Sequence, residues 1–266
     1  MKNLKEKIII ALDYDSLQHA KELLEKLKGR AYFYKIGFEL FTSCGADSVS
    51  LVKDYGCKVF LDLKYHDIPN TVYKAVKSAG KLGADIINVH ASGGIDMMKA
   101  AKNGAEEASY AAGNHIDIIA VTVLTSLSDA DVKQVFYGLK ESAMPLPSEN
   151  EEGAAAYGVS SDLALHLAEL AKISGLDGVV CSGHESVKIK NTLGRNFKTV
   201  TPGIRLKTKN AGKAAGINGL GGDQKRTMSP YEAFNAGADY IVVGREITSA
   251  DNPSEALGLI YADIDK

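Results

Sequence analysis

The chain has 266 residues, 45% of them hydrophobic and 24% charged, enough to bury a full core as one large domain. A formal net charge of -2 and a pI near 6.3 leave no electrostatic footprint for nucleic acid or an anionic membrane. No run approaches transmembrane length, so a small-molecule partner is the expectation that composition leaves.

Behind the opening Met1-Lys2-Asn3-Leu4-Lys5-Glu6-Lys7 no long apolar segment follows, so no signal peptide is expected. Cys44, Cys57 and Cys181 are odd in number, widely spaced and without a CxxC, and read as buried thiols in a reducing compartment. Both features point to a cytoplasmic protein.

Short β-rich runs alternate with helical patterns about every 20 to 35 residues, the signature of repeated βα units around a parallel sheet. In chain order the strands fall at Ile8–Leu12, Tyr32–Ile36, Lys58–Leu63, Ile86–His90, Ile118–Leu124, Gly178–Cys181, Lys198–Thr201 and Tyr240–Val243. Several are entered through a helix-ending glycine that accepts the left-handed cap, as in Gly83-Ala84-Asp85, Gly175-Leu176-Asp177 and Gly237-Ala238-Asp239. Eight such units fit a single-domain (β/α)8 barrel over residues 1–266. An open doubly wound sheet is the rival, but the first βα turn, Asp13-Tyr14-Asp15-Ser16, lacks the GxGxxG of a dinucleotide fold.

In a barrel, functional groups lie just after each strand, at the C-terminal face. Strand one ends in Asp13, strand two carries Lys35, strand three ends in Asp62 and Lys64, and strand five runs into Thr125-Ser126. Asp15 and Ser16 cap the first helix and Glu39 opens the second, without chemistry. Strand geometry points alternate side chains the same way, so Asp62 and Lys64 share one face, opposite Leu61 and Leu63. That face of a parallel sheet is normally apolar, and charge there costs free energy unless it is paired or used. A surface ion pair beside a helix cap explains it less well than a catalytic role. Asp67 follows, then Pro69, which ends the ladder, and Asn70-Thr71, which can open a helix.

Among the histidines, His66 and His90 have no metal-ligand partners in the sequence and read as satisfied, partly buried imidazoles. His19, His115, His166 and His184 fall in helices or loops. There is no HExxH and no G-x-S-x-G elbow, so neither a metal centre nor nucleophilic serine chemistry is expected.

The last quarter carries a second constellation. Thr201-Pro202-Gly203-Ile204-Arg205 closes strand seven, Gly221 to Arg226 follows, and Val242-Val243-Gly244-Arg245 closes strand eight. Barrels commonly bind phosphate with these loops, where glycines let backbone N–H groups approach and an arginine adds a planar fork. A Gly-Arg pair alone is often only a turn with a solvated charge; its place after the final strand favours phosphate.

Taken together, Ala11-Leu12-Asp13, Lys35-Ile36-Gly37, Asp62 through Thr71, Leu124-Thr125-Ser126, Thr201 through Arg205, Asp223 through Arg226 and Val243-Gly244-Arg245 resemble the orotidine 5'-phosphate decarboxylase family over nearly the whole chain. By itself D-x-K-x-x-D also suits hexulose-phosphate synthases and ketogulonate-phosphate decarboxylases. The resemblance implies cofactor-free decarboxylation of orotidine 5'-phosphate to uridine 5'-phosphate, the last step of pyrimidine nucleotide synthesis, with no metal. It makes Lys64 the proton donor to pyrimidine C6 and sets Asp62 against the departing carboxylate. Lys35 and Asp13 would hold the ribose and the charge network. Asp67 would reach in from the partner of a homodimer, and Ile68 and Thr71 would be substrate contacts. Thr125 matches the pyrimidine contact, Gln224 the bridge between base and phosphate, Gly244 with Arg245 the phosphate site, and Arg205 a further binding position.

The sequence departs from the expected bacterial pattern in the eighteen residues from Leu206 to Asp223, read as a mobile loop at 206–223, and in an extended segment, Leu139–Tyr157. Two alternatives stand beside the decarboxylase: a metal-assisted sugar-phosphate aldolase or lyase on the same barrel, and a non-catalytic phosphate-ligand sensor.

Overall fold

Runs such as Ile8-Ile9-Ile10-Ala11-Leu12 are apolar at every position, as strands covered on both faces must be. The computed structural model describes residues 6–137, 158–207 and 227–266. Its strands are β1 (Ile8–Leu12), β2 (Phe33–Ile36), β3 (Lys58–Tyr65), β4 (Ile86–His90), β5 (Asp117–Val121), β6 (Gly178–Val180), β7 (Lys198–Thr201) and β8 (Tyr240–Val243). They pair in parallel and in sequence order, and β1 pairs β8 to close the barrel. Alternate residues divide two cores. Ile9, Ala11, Phe33, Phe60, Ile119 and Val242 fill the barrel interior, while Ile10, Leu12, Tyr34, Val59 and Leu61 pack outward beneath the helices.

Helices cover the strands: α1 (Leu17–Lys26), α2 (Phe38–Cys44), α3 (Ala46–Asp54), α4 (Pro69–Lys81), α5 (Gly94–Ala112), α6 (Asp129–Val132), α7 (Val159–Ile173), α8 (Gly183–Leu193), α9 (Pro230–Asn235), α10 (Arg245–Thr248) and α11 (Pro253–Ile264). Ser16 caps α1 by accepting from His19 N, and Glu39 lies in the first turn of α2. Helix α4 begins one residue before the expected Asn70-Thr71. Pro69 occupies its first turn, where a missing N–H costs nothing. No helix among the described residues is long and apolar enough to cross a membrane.

The entry glycines behave as expected, with φ of 98° at Gly83, 79° at Gly175 and 92° at Gly237. The aspartates that follow them form a repeated floor. Asp85 accepts from Val59 N, Asp177 from Ile118 N and Asp239 from Thr199 N, each at 2.8 Å. Each carboxylate also meets a helix lysine, Lys53 at 3.0 Å, Lys102 at 2.9 Å and Lys190 at 2.5 Å. One residue type thus satisfies a strand-end N–H and docks a helix at three places around the barrel bottom.

Several expected boundaries shift. Strand β5 stops at Val121 rather than Leu124, because its partner β4 ends at His90 and turns into a 3-10 helix at Ala91–Gly93. The chain then turns, with Leu127 N donating to Leu124 O. Strand β3 runs on to Tyr65 instead of ending at Leu63, through an irregularity in its pairing with β4. Strand β6 ends at Val180, and Ser182 already caps α8. Cys57 and Cys181 are buried, whereas Cys44 is only partly so, at the end of α2. Apart from Leu206 and Lys207, the segment 206–223 lies outside the described residues, as do all of Leu139–Tyr157 and Gln224.

Candidate active site

Four charged side chains alternate in sign across the mouths of the first three strands. Asp13 follows β1, Lys35 lies on β2 in register with Ala11 and Phe60, and Asp62 and Lys64 lie on β3. Lys35 Nζ is 3.0 Å from Asp13 Oδ1 and 3.4 Å from Asp62 Oδ2, and Lys64 Nζ is 2.7 Å from Asp62 Oδ1. Two cations thus balance two anions, which is how a barrel interior tolerates them. Asp62 is buried, at 8% exposure, with an ammonium on each of its oxygens. Burial of Lys35 alone lowers its pKa, but the carboxylates of Asp62 and Asp13 together outweigh burial and hold it above the ordinary lysine value. Gly37 makes room for this ammonium: a Cβ there would stand 2.8 Å from Lys35 Nζ.

Lys64 has φ of 43°, the one positive value outside glycine among the described residues. A left-handed lysine costs about 1–2 kcal/mol, and here its N–H donates to Asn88 Oδ1 at 2.8 Å. The Lys64 ammonium also lies 5.4 Å from the centroid of the Phe38 ring. Sequence reasoning missed Asn88. Its signal was an amide inside the apolar run Ile86-Ile87-Asn88-Val89, where a buried polar group requires a partner.

These groups line one side of a cavity of about 630 Å³ at the strand C-termini. Thr125, Ser126, Arg205, Gly244 and Arg245 also line it, together with Tyr14 and Glu246, to which sequence reasoning gave no role. Arg205 Nη1 donates to Glu246 Oε1 at 3.0 Å. Asp67, Ile68 and Thr71 are exposed and do not line this cavity. The Asp67 carboxylate accepts from Ile68 N at 2.7 Å. His66 is exposed rather than partly buried; its ring lies 5.5 Å from that of half-buried His90. The pKa of His90 is lowered, first by burial and then by the nearby His66 and Lys64.

Such a mouth, with a neutral row of lysines and aspartates and two arginines lining one cavity, defines a barrel enzyme for a small anionic substrate. The chain belongs to the orotidine 5'-phosphate decarboxylase / HUMPS family, whose model matches residues 6–260. It is 44% identical to the orotidine 5'-phosphate decarboxylase of Pseudoalteromonas translucida over 98% of this chain and 96% of that protein. It is 43% identical to that of Idiomarina loihiensis, over 97% of each. Among solved structures it resembles orotidine 5'-phosphate decarboxylase from Lactobacillus acidophilus, with TM-score 0.74 and 36% identity over 97% of this chain and 99% of that one. An uncharacterized conserved protein from Geobacillus kaustophilus gives TM-score 0.75 at 34% identity, over 97% and 99% of the two chains.

Proposed function

We propose that this chain is a decarboxylase that converts orotidine 5'-phosphate to uridine 5'-phosphate and CO₂ in the cytoplasm. The observation that carries this reading is the Lys64 ammonium, 2.7 Å from Asp62 inside the cavity. Breaking the bond between C6 and the carboxylate leaves an electron pair in an sp² orbital on C6, which no ring carbonyl absorbs by simple conjugation. A fixed cation beside that carbon stabilises the pair as it develops. Lys64 then gives its proton to C6 and regains one from solvent, while CO₂ departs with no further redistribution of electrons. The substrate carboxylate, seated beside Asp62, meets like charge that disappears as CO₂ forms. Lys35 and Asp13 hold the ribose hydroxyls and keep the Asp62 charge in place.

In the same cavity, Gly244 and Arg245 take the phosphate, Thr125 contacts the pyrimidine, and Arg205, held by Glu246, adds a further cation. Gln224 bridges base and phosphate. Phosphate binding, remote from the reacting bond, supplies free energy that organises the charged row. Both oxygens of Asp62 already face ammonium groups, an arrangement better suited to this chemistry than to a divalent-metal site.

A homodimer completes the site, with Asp67, Ile68 and Thr71 of each subunit serving the partner's cavity. Their exposure outside their own cavity supports this, as does Phe38, 58% exposed beside Lys64.

Incubation with orotidine 5'-phosphate should yield uridine 5'-phosphate and CO₂ in equal amounts; unchanged substrate would refute the reading. Lys64→Ala should abolish turnover and keep most affinity for uridine 5'-phosphate, whereas Arg245→Ala should chiefly weaken binding. Comparable affinity losses in the two variants would contradict this division of roles.

A further inference from the structure

We infer that Asn88 is the positioning residue of the Asp62–Lys64 pair, an inference whose kinetic part rests on the decarboxylase reading above. Asn88 is fully buried, at 0% exposure, in the middle of β4. Its amide makes two bonds of opposite sense. Oδ1 accepts from Lys64 N at 2.8 Å, and Nδ2 donates to Asp62 Oδ1 at 2.6 Å. A backbone N–H only donates and a carboxylate only accepts, so the reversed amide would set donor against donor and acceptor against acceptor.

The pairing of β3 with β4 explains why an amide is needed here. Leu61 pairs with Ile87 and Tyr65 with Val89, so four steps along β3 are matched by two along β4. The two extra residues bulge, and the Lys64 N–H finds the Asn88 side chain where regular pairing would offer a carbonyl. That bond fixes Lys64 in its left-handed backbone, which sets the point from which its side chain starts. The other bond orients the Asp62 carboxylate. Oδ1 takes both Asn88 Nδ2 and Lys64 Nζ, which leaves Oδ2 for Lys35. Without the amide, the carboxylate is free to turn about its last torsion and the lysine to relax toward an ordinary strand conformation. Asn88 does not line the cavity, so its effect passes through the other two residues.

The test uses wild-type, N88A and N88D proteins. For N88A, kcat should fall about 10²-fold, the scale of a misplacement near 1 Å, while affinity for uridine 5'-phosphate stays within about twofold. A crystal structure of N88A should show Lys64 outside the left-handed region or its contact with Asp62 lost. N88D keeps the shape and the acceptor toward Lys64 N but turns a second carboxylate toward Asp62. Two such groups share a proton at low pH, which restores a donor. The ratio of N88D to wild-type kcat should therefore rise as pH falls.

Wild-type kcat in N88A, or unchanged Lys64 φ and Asp62 contact in its crystal structure, would overturn the inference. If N88A does not fold, the isosteric N88D decides: a kcat ratio of one, or one that does not change with pH, overturns it. If wild-type protein leaves orotidine 5'-phosphate untouched, the functional reading fails, and the crystal structure of N88A or N88D still decides the role of Asn88.

Discussion

Lys35 and Asp62 face each other 3.4 Å apart across the β2 and β3 ladder, and the same ammonium holds Asp13 at 3.0 Å. Lys35 is thus the hub of the charged row, and its raised pKa records how strongly the folded state favours its charge. A lysine raised in the folded state stabilises fully below its unfolded pKa of about 10.4, and that contribution is lost as pH rises through the folded value. Lys35→Met should cost about 2–4 kcal/mol at neutral pH, since it leaves Asp13 and one oxygen of Asp62 without their ammonium and the row with a net negative charge. The gap from wild type, measured by urea unfolding, should narrow at strongly alkaline pH. A gap independent of pH would refute this role.

His90 carries the opposite sign. Burial, with His66 and Lys64 nearby, lowers its pKa in the folded state. The unfolded chain therefore takes its proton first as pH falls through about 6.5, so stability declines on acidification until the folded pKa is passed. Unfolding at about pH 7.5 and about pH 5.5 should show a smaller acid-induced loss in His90→Gln than in wild type. Equal losses would count against it.

At the barrel floor, Asp177 accepts from Ile118 N at 2.8 Å and pairs with Lys102 at 2.9 Å. Its removal leaves a strand-end N–H and a largely buried ammonium unsatisfied. Asp177→Ala should lower stability by about 2–4 kcal/mol in chemical denaturation, with affinity for uridine 5'-phosphate unchanged. A loss within about 0.5 kcal/mol would show that the floor aspartates are not structural in this sense.

Much of this architecture is legible in the sequence because it is local. Strand alternation puts Asp62 and Lys64 on one face, and glycine marks the entries to β4, β6 and β8. What escaped depends on distant partners. The end of β5 is set by the length of β4, and Glu246, which holds Arg205, is forty-one positions away in sequence. Asn88 could be recognised as a buried amide, but its two partners become visible only once the bulge in β3 is known. The spacing of D-x-K-x-x-D gathers Asp67 with Asp62 and Lys64, whereas the fold turns it out of their cavity.

That separation gives the shared-site dimer a sharp test. Lys64→Ala and Asp67→Asn proteins should each be nearly inactive. Unfolded and refolded together, they should regain activity toward one working site per mixed dimer, because one site then receives both wild-type groups. Persistent inactivity, with mixed dimers shown to have formed, would place both residues in one chain's site.

The most direct test of the central claim is the rate at which the orotate absorbance band disappears when exhaustively chelated wild-type protein meets orotidine 5'-phosphate. Decarboxylation by the Asp62–Lys64 pair predicts full activity after chelation. A strict requirement for an added divalent metal, or binding with no loss of absorbance, would contradict it.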